Sequence, residues 1–440
     1  MKLRIHRGTH EIGGSCVEIQ QGESRIIIDI GTPLSDGKEG RFDLKKYRLI
    51  PGPELVSRGI LPDIKGFYEW DKNEKPINAL LISHAHQDHY GFLKFVRSDI
   101  KVYLGEPTRD LIKLCGVFTS ARIVIKNPRF FKSGEEFSCG DFSITPFLMD
   151  HSAFDSHSFV VQEGSKRLIY SGDFRDHGRK PGALRRFLAG APREADVLLL
   201  EGTNLGREDG AIKTEKNLED EIVGILKNSP GFVMVCLSSQ NIDRLVTIYK
   251  ACIRLKKIFA IDLYTANVLF AMKEYAKLPY PNQNYPEIKV FFFPKNLCRK
   301  IRDEDRIKMM FQFKHFKIER KDIDKNRDKV MMLVRPSMLG DLKEIFKDGE
   351  KIGGVLIYSL WKGYKESEDT KKLLDFAEKK GIKIVDAHTS GHADLKTLKK
   401  VVVGLKPKVI IPIHTTQPGF YQDHFGSAVR KLEDRQVWEL

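Results

Sequence analysis

Ile77-Asn78-Ala79-Leu80-Leu81-Ile82-Ser83-His84-Ala85-His86-Gln87-Asp88-His89-Tyr90-Gly91 decides how this chain is read. An apolar run with the length of a buried strand ends in three imidazoles and a carboxylate within six residues. Neutral imidazole and carboxylate are the donors that first-row divalent metals prefer. Alternate residues of an extended segment share a face, so His84 and His86 can address one ion. A helical turn beginning near Asp88 then carries Asp88 and His89 towards a second position beside the first.

The bulk numbers frame that reading. At 440 residues, two domains are expected. With 41% hydrophobic and 30% charged residues the composition is globular, and no apolar run reaches the roughly 20 residues that cross a bilayer. The start, Met1-Lys2-Leu3-Arg4-Ile5-His6, alternates like a strand and lacks the apolar core of a signal peptide. Six scattered cysteines form no C-x-x-C pair, which argues for reduced thiols and a cytoplasmic protein. The net charge of +15 points to a polyanionic partner, with nucleic acid first.

Short apolar strands fill the first 200 residues: Ser15–Gln20, Arg25–Ile30, Ala79–Ile82, Lys101–Leu104, Ser143–Leu148, Ser158–Gln162, Arg167–Ser171 and Val197–Glu201. Several end in an acidic or polar residue at a glycine-containing turn, where rigid sheets place functional side chains. From about Thr203, helical patterns alternate with strands Phe232–Leu237, Ile288–Phe293, Val330–Val334 and Gly354–Ser359, as in a three-layer α/β unit. The basic stretch Arg299–Lys329 reads as a solvated excursion. Near Ile382 the first texture returns, with Ile382–Ala387 and Val409–Ile413 as strands. One domain is thus read as inserted into another. The expected division is 1–204 and 385–440 for the host and 205–384 for the insert, whose net charge is about +10.

Further donors stand at strand ends: His151 after Ser143–Leu148, Asp173 after Arg167–Ser171 and His414 after Val409–Ile413. Seven N/O ligands are too many for one tetrahedral ion and suit two that share a carboxylate. Two metals about 3.5–4 Å apart can clamp the attacking and leaving oxygens of a phosphodiester.

On these residues the chain resembles the metallo-β-lactamase superfamily, and within it the β-CASP nucleases of the ribonuclease J, 3′-end cleavage and Artemis kinds. Asp29 in Ile28-Asp29-Ile30-Gly31 resembles the first motif, which braces the metal loop. His84, His86, Asp88 and His89 resemble the second, His151 the third and Asp173 the fourth. Glu201, His392 and His414 resemble motifs A, B and C of the β-CASP group; a histidine at motif C is similar to RNA-directed members. The implied fold is an α/β metallo-β-lactamase αββα sandwich with an inserted three-layer α/β β-CASP domain.

The resemblance implies a metal-dependent ribonuclease hydrolysing RNA phosphodiester bonds. A DNA nuclease of the Artemis type and a non-catalytic RNA-binding subunit are the alternatives. His84, His86 and His151 would hold one ion; Asp88, His89 and His414 the other; Asp173 would bridge. The cofactors implied are two zinc ions, with manganese as the alternative. His392 and Glu201 would be catalytic, His392 at the leaving oxygen and Glu201 orienting it, and Asp88 is counted with them. Ser239, Ser337, Ser390 and His388 are candidate phosphate contacts, and Gly391 could add a backbone donor. His177 is read as supporting or superficial. The partners expected are single-stranded RNA, no membrane and a homodimer. Two departures stand out: only 26 residues follow His414, and the insertion Phe42–Asn73 has no assigned role.

Overall fold

The computed structural model describes residues 1–35, 42, 44–47, 49–119, 122–207, 212–292, 295–303 and 306–440. Two compact units emerge. The first comprises Met1–Gly116, Ala121–Ala211 and Gly391–Leu440, the second Val117–Ser120 and Ile212–Ser390. The proposed boundaries at 204/205 and 384/385 lie a few residues from these. Leu205 is buried in the core of the first unit, and the strand Lys383–Asp386 belongs to the sheet of the second.

Two sheets form the first unit. One has the order Val437–Glu439, Lys2–Arg7, Cys16–Gln21, Ser24–Ile28, Ala79–Leu81, Lys101–Leu104, Pro128–Phe130. The other runs Val409–Ile413, Val197–Glu201, Lys166–Tyr170, Ser156–Glu163, Phe142–Met149, Phe137–Cys139. Side-chain alternation explains the layering. Val197 and Leu199, with Ile411 and Ile413, face the first sheet and pack on Leu3, Val17, Ile19, Ile26, Ile28 and Leu81. Leu198, Leu200 and Ile410 point the other way, onto Leu184 and Phe187 of the helix Ala183–Gly190 and Leu398 and Val401 of Leu395–Leu405. Ile27 and Leu80, on the far side of the first sheet, are also fully buried.

The insertion before the metal loop packs onto this unit. Trp70 stacks on buried Tyr68 at 4.6 Å, and the Arg7 guanidinium donates to the carbonyls of Gly59 and Ile60.

The second unit is a six-stranded, wholly parallel sheet in the order Ile288–Phe291, Ile258–Asp262, Val330–Val334, Phe232–Cys236, Gly354–Tyr358, Lys383–Asp386. Phe232–Cys236 and Val330–Val334 are buried at every residue, as a strand covered on both faces must be. Here the sequence reading needs correction. The strand near Ile382 is the edge of this sheet and not a return to the first unit. Ile258–Asp262, a strand that the pattern did not reveal, leads into a helix at Leu263–Met272. That helix starts at Leu263 because Asp262 Oδ1 accepts from Thr265 N at 3.0 Å and caps it. The basic excursion is partly packed: Phe313, Ile318 and Ile323 are buried. Among the described residues no helix is long and apolar enough to cross a membrane.

Candidate metal centre

The strand Ala79–Leu81 delivers Ser83 and His84 into the unit's interior, and His86 caps a short helix, Gln87–Tyr90, with extended dihedrals of φ −95° and ψ 141°. That switch from extended to helical backbone separates the two donor sets. Close approach of the loop Asp29–Gly31 fixes the helix. Ile30 N donates to His89 O at 2.8 Å, and a Cβ on Gly31 would fall 1.5 Å from Asp88 O, so only glycine fits.

Seven expected donors from four separate segments converge, all inside the first unit. The donor atoms of His84, His86 and His151 lie within 4.8 Å of one another, as do those of Asp88, His89, Asp173 and His414. Asp173 stands between the sets. Its Oδ2 is 3.1 Å from His89 Nε2, 3.7 Å from His84 Nε2 and 4.0 Å from His151 Nε2. Its Oδ1 is 3.6 Å from His414 Nδ1.

Hydrogen bonds set the tautomers that metal binding needs. Asp29 is fully buried, with φ +62°, and is surrounded by donors. Ser83 N reaches its Oδ1 at 2.8 Å; Ser83 Oγ, His89 Nδ1 and Tyr170 OH reach its Oδ2 at 2.7, 2.8 and 2.9 Å. His89 therefore carries its proton on Nδ1 and turns Nε2 inward. Ser83 Oγ has spent its proton on Asp29, so at 3.0 Å it accepts from His84 Nδ1 and frees His84 Nε2. Gly391 O can only accept, so His151 Nδ1 donates to it at 2.6 Å. Thr203 Oγ1 donates to His414 O and accepts from His414 Nδ1 at 2.8 Å, leaving His414 Nε2 facing Asp88 Oδ2 at 3.4 Å. Such outer partners fix ring orientation and raise ligand basicity in metal sites.

This donor set fits divalent metal. His84 Nε2, His89 Nε2 and Asp173 Oδ2 are buried and make no aligned hydrogen bond among the described residues. Buried polar atoms without partners are costly unless something else satisfies them. His86 Nδ1 and His151 Nε2 are 3.2 Å apart. They can share a proton as they stand; two nitrogens on one tetrahedral ion would also be roughly 3.3 Å apart, given the usual 2.0–2.1 Å bonds.

Burial, reinforced by neighbouring imidazoles, pushes His84 and His151 well below the usual imidazole range, so both are neutral near pH 7. Burial also lowers His86, to about 4. Burial alone would raise Asp88, but His414 and His89 hold it at about 2. His89 titrates well above the usual range: burial opposes this, and the charges of Asp173 and Asp29 prevail.

His392 sits beside these groups. Its Nδ1 is 3.5 Å from Glu201 Oε2 and 3.8 Å from Asp173 Oδ2, and its ring meets that of His151 at 4.9 Å. It could also serve as a donor with His151 and Asp173, or with Glu201 and His414. Glu201 does more than face His392. Its oxygens accept from Thr203 N at 2.9 Å and Ala393 N at 3.1 Å, which ties both histidine loops together.

The four candidate phosphate residues lie in the second unit. Ser239 is buried, bonding Thr265 Oγ1 at 2.8 Å and the Arg335 guanidinium, itself paired with Asp262. Ser337 is exposed and Ser390 half-buried. His388 Nδ1 lies 3.3 Å from Ser359 O and 3.3 Å from Arg244 Nη1. His177 is buried.

Sequence reading passed over the groups that hold the candidate donors in place: Ser83, Tyr170, Thr203, Asn204, and the pair Asp150 and Arg175. Asn204 Nδ2 donates to the carbonyls of His392 and Ala393. Arg175 N donates to Asp150 O at 2.6 Å, joining the His151 and Asp173 loops. Ser83 was within the quoted motif and was readable there; Thr203 and Tyr170 left no local signal.

Residues 62–220 match the Beta-lactamase superfamily domain, in keeping with the fold and the donor clusters. Over nearly its whole length the chain is similar to ribonuclease J. It is 24% identical over 429 residues to Ribonuclease J of Helicobacter pylori (strain ATCC 700392 / 26695), covering 94% of this chain and 56% of that protein. It is 24% identical over 432 residues to Ribonuclease J of Mycoplasma genitalium, covering 94% and 67%. It is 23% identical over 308 residues to the RNase J-like protein of Methanocaldococcus jannaschii, covering 65% and 63%. The chain thus spans just over half the length of the first of these relatives. A crystal structure described as a protein of unknown function from Enterococcus faecalis V583 superposes with a TM-score of 0.78 at 18% identity, covering 100% of this chain and 99% of that one. That likeness shows the fold. The superfamily recognised from the motifs is borne out, as is the α/β fold.

Proposed function

We propose that this protein is a metal-dependent ribonuclease that hydrolyses RNA phosphodiester bonds at a dinuclear centre. The observation that carries the reading is the convergence of seven metal donors in two sets around Asp173, with His392 and Glu201 alongside. His84, His86 and His151 would hold one ion and Asp88, His89 and His414 the second, with Asp173 as the carboxylate shared between them. Zinc is the metal proposed, with manganese as the alternative because N/O donors suit both. Bound divalent ions supply Lewis acidity, polarising the phosphodiester and lowering the pKa of water to about 7.

The chain's own residues do the remaining work. Ser83 and Asp29 aim His84 and His89, Gly391 O aims His151 and Thr203 aims His414. His392, held near Asp173 and Glu201, meets the leaving oxygen and stabilises its developing charge, by proton or by field. Asp88 belongs to the catalytic groups through the ion it holds. Single-stranded RNA is the substrate proposed, and the similarity to ribonuclease J supports it over DNA. All six cysteines are free, which suits a reducing compartment, and the cytoplasm is proposed. The homodimer is part of the proposal, with sedimentation as its check.

The test is a product ladder from 5′-labelled RNA and matched DNA with zinc or manganese supplied. Metal-dependent cleavage of RNA with DNA spared supports the reading. Cleavage of DNA in preference to RNA gives the Artemis-type activity instead, and binding without cleavage under either metal gives the non-catalytic one.

A further inference from the structure

Between the strand Gly354–Tyr358 and the helix Glu368–Lys379 the chain reads Ser359-Leu360-Trp361-Lys362-Gly363-Tyr364-Lys365. Of the three tryptophans, Trp361 is the most exposed, at 49%. Its indole is exposed and yet held. A Cβ on Gly363 would lie 2.2 Å from Cη2 and Cζ3 of the ring, so the ring rests on the backbone at a site where only glycine allows it. Tyr364 meets it edge-on, with centroids 5.5 Å apart and planes at 90°. Lys362, between them, is exposed and makes no ion pair among the described residues. The next lysine differs: Lys365 pairs with Asp386 at 2.6 Å and lies over the Tyr358 ring.

The place of this turn in the fold matters as much as its make-up. Gly354–Tyr358 pairs in parallel with Phe232–Cys236, so the Trp361 turn and the Ser239 turn leave the same carboxyl edge of the sheet. The chain runs from Phe232–Cys236 to Ile258–Asp262 on one side and from its neighbour Gly354–Tyr358 to Lys383–Asp386 on the other, and open α/β sheets bind ligands outside the carboxyl ends between two such strands. The segment 205–384 also holds 36 Lys and Arg against 26 Asp and Glu. An exposed, pre-oriented indole beside an uncompensated cation in a basic unit matches the chemistry of single-stranded nucleic acid. Every base offers a π face to stack, and the adjoining phosphate takes the cation.

We propose that Trp361, braced by Gly363 and Tyr364, is a base-stacking residue for single-stranded RNA, with Lys362 meeting the neighbouring phosphate. This rests on the RNA reading above. Stacking of this kind is indifferent to base identity, so Trp361 adds grip without sequence preference.

The test uses the full chain stripped of metal, so that nothing is cleaved, and a fluorescein-labelled RNA of about twelve nucleotides. A matched oligomer of abasic ribose phosphates is the control. Trp361→Ala is expected to weaken RNA binding about 5- to 100-fold, Trp361→Phe to keep most of it, and both to bind the abasic oligomer as the wild type does. RNA should also quench the intrinsic fluorescence of the wild type, and that quench should be absent in Trp361→Phe, which keeps Trp70 and Trp438. Equal RNA affinity in Trp361→Ala overturns the proposal, as does an equal loss for RNA and abasic oligomer. If the alanine variant does not fold, the quench in wild type against Trp361→Phe decides alone. A wild-type protein with no affinity for RNA overturns the ribonuclease reading as well, which separates the two failures.

Discussion

Replacing Asp29 by asparagine isolates the outer layer of the proposed metal centre from the candidate ligands themselves. The side chain keeps its size, but its four donors no longer find two carboxylate oxygens. With the amide oxygen at the Oδ2 position, Ser83 Oγ, His89 Nδ1 and Tyr170 OH are still served, and the amide NH2 then opposes Ser83 N–H. With the amide reversed, three donors lose their acceptor, so the first arrangement prevails. Its cost is one unsatisfied buried N–H, about 1–3 kcal/mol, together with loss of the charge that anchors His89 Nδ1–H.

Metal affinity should respond more selectively than stability. Removal of such an outer partner typically weakens binding 10- to 100-fold. His89 bonds Asp29 directly, whereas His84 reaches it only through Ser83 Oγ. The ion held with Asp88 and His414 should therefore weaken by that factor, and the ion held by His84, His86 and His151 by distinctly less. Competition against a graded series of chelators, read by elemental analysis of the retained protein, resolves the two steps. Folding is checked by circular dichroism. Unchanged affinity for both ions in folded Asp29→Asn would refute the argument and leave Asp29 as a brace of the fold alone. Equal weakening of both would show that Ser83 transmits the whole effect.

Asp173→Ala removes the carboxylate nearest both donor sets, so metal content should fall from two equivalents to one or fewer, read by the same elemental analysis; two retained equivalents would end the bridging assignment. His392→Ala should keep both ions and RNA affinity while the cleavage rate drops by roughly 10²–10⁴; loss of an ion would make His392 a ligand. RNA affinity of the metal-stripped wild type should fall steeply between 50 and 200 mM salt, by roughly 300-fold if about six phosphates of a single strand are contacted; a flat profile would contradict a phosphate-binding surface. Glu18 offers a check on stability, since burial alone would raise its pKa but His6 and Arg25 hold it at about 2. A depressed carboxyl stabilises the fold above its unfolded value near 4.5, and that stability is lost as pH falls towards 2. Glu18→Gln should thus melt several degrees below wild type at pH 7, with the gap closing between pH 4.5 and 2; a constant gap would mean a packing effect.

The donors were legible because each stands at the end of a strand that announces itself. Val197–Glu201 and Val409–Ile413 carry unbroken apolar runs, and both begin and end where the pattern puts them. The turn after Ala79–Leu81 shows its change of backbone in the spacing of His84, His86, Asp88 and His89. Metal chemistry restricts residue types so tightly that four separated segments could be joined without any knowledge of contacts. The extent of the inserted sheet was harder to read. Lys383–Asp386 is half exposed and alternates weakly, so its pattern fits either sheet equally well; parallel pairing with Gly354–Tyr358 settles its place.

What the sequence hid is of one kind. Tyr170 reaches Asp29 across 141 positions, Thr203 reaches His414 across 211 and Gly391 O reaches His151 across 240. None of these partners needs a particular side chain to be recognised locally: a tyrosine closing a core strand, a threonine after a glycine, a bare carbonyl. Each takes its role from where another segment happens to arrive. Asp29 and His414 add a second reason, since both have positive φ, 62° and 53°, which no pattern of residues forecasts for aspartate or histidine. In each case the unusual backbone turns the residue towards the partner that fixes it. Those two strained positions are held from both sides: Asp29 N donates to Leu81 O at 2.8 Å and His414 N to Gly8 O at 2.7 Å. The proposed metal centre is therefore specified twice, once by candidate ligand types that a sequence displays and once by backbone placement that only the assembled sheets provide. The second specification is what orients four of the five rings, with His84, His89, His151 and His414 each tied at Nδ1 to a fixed partner.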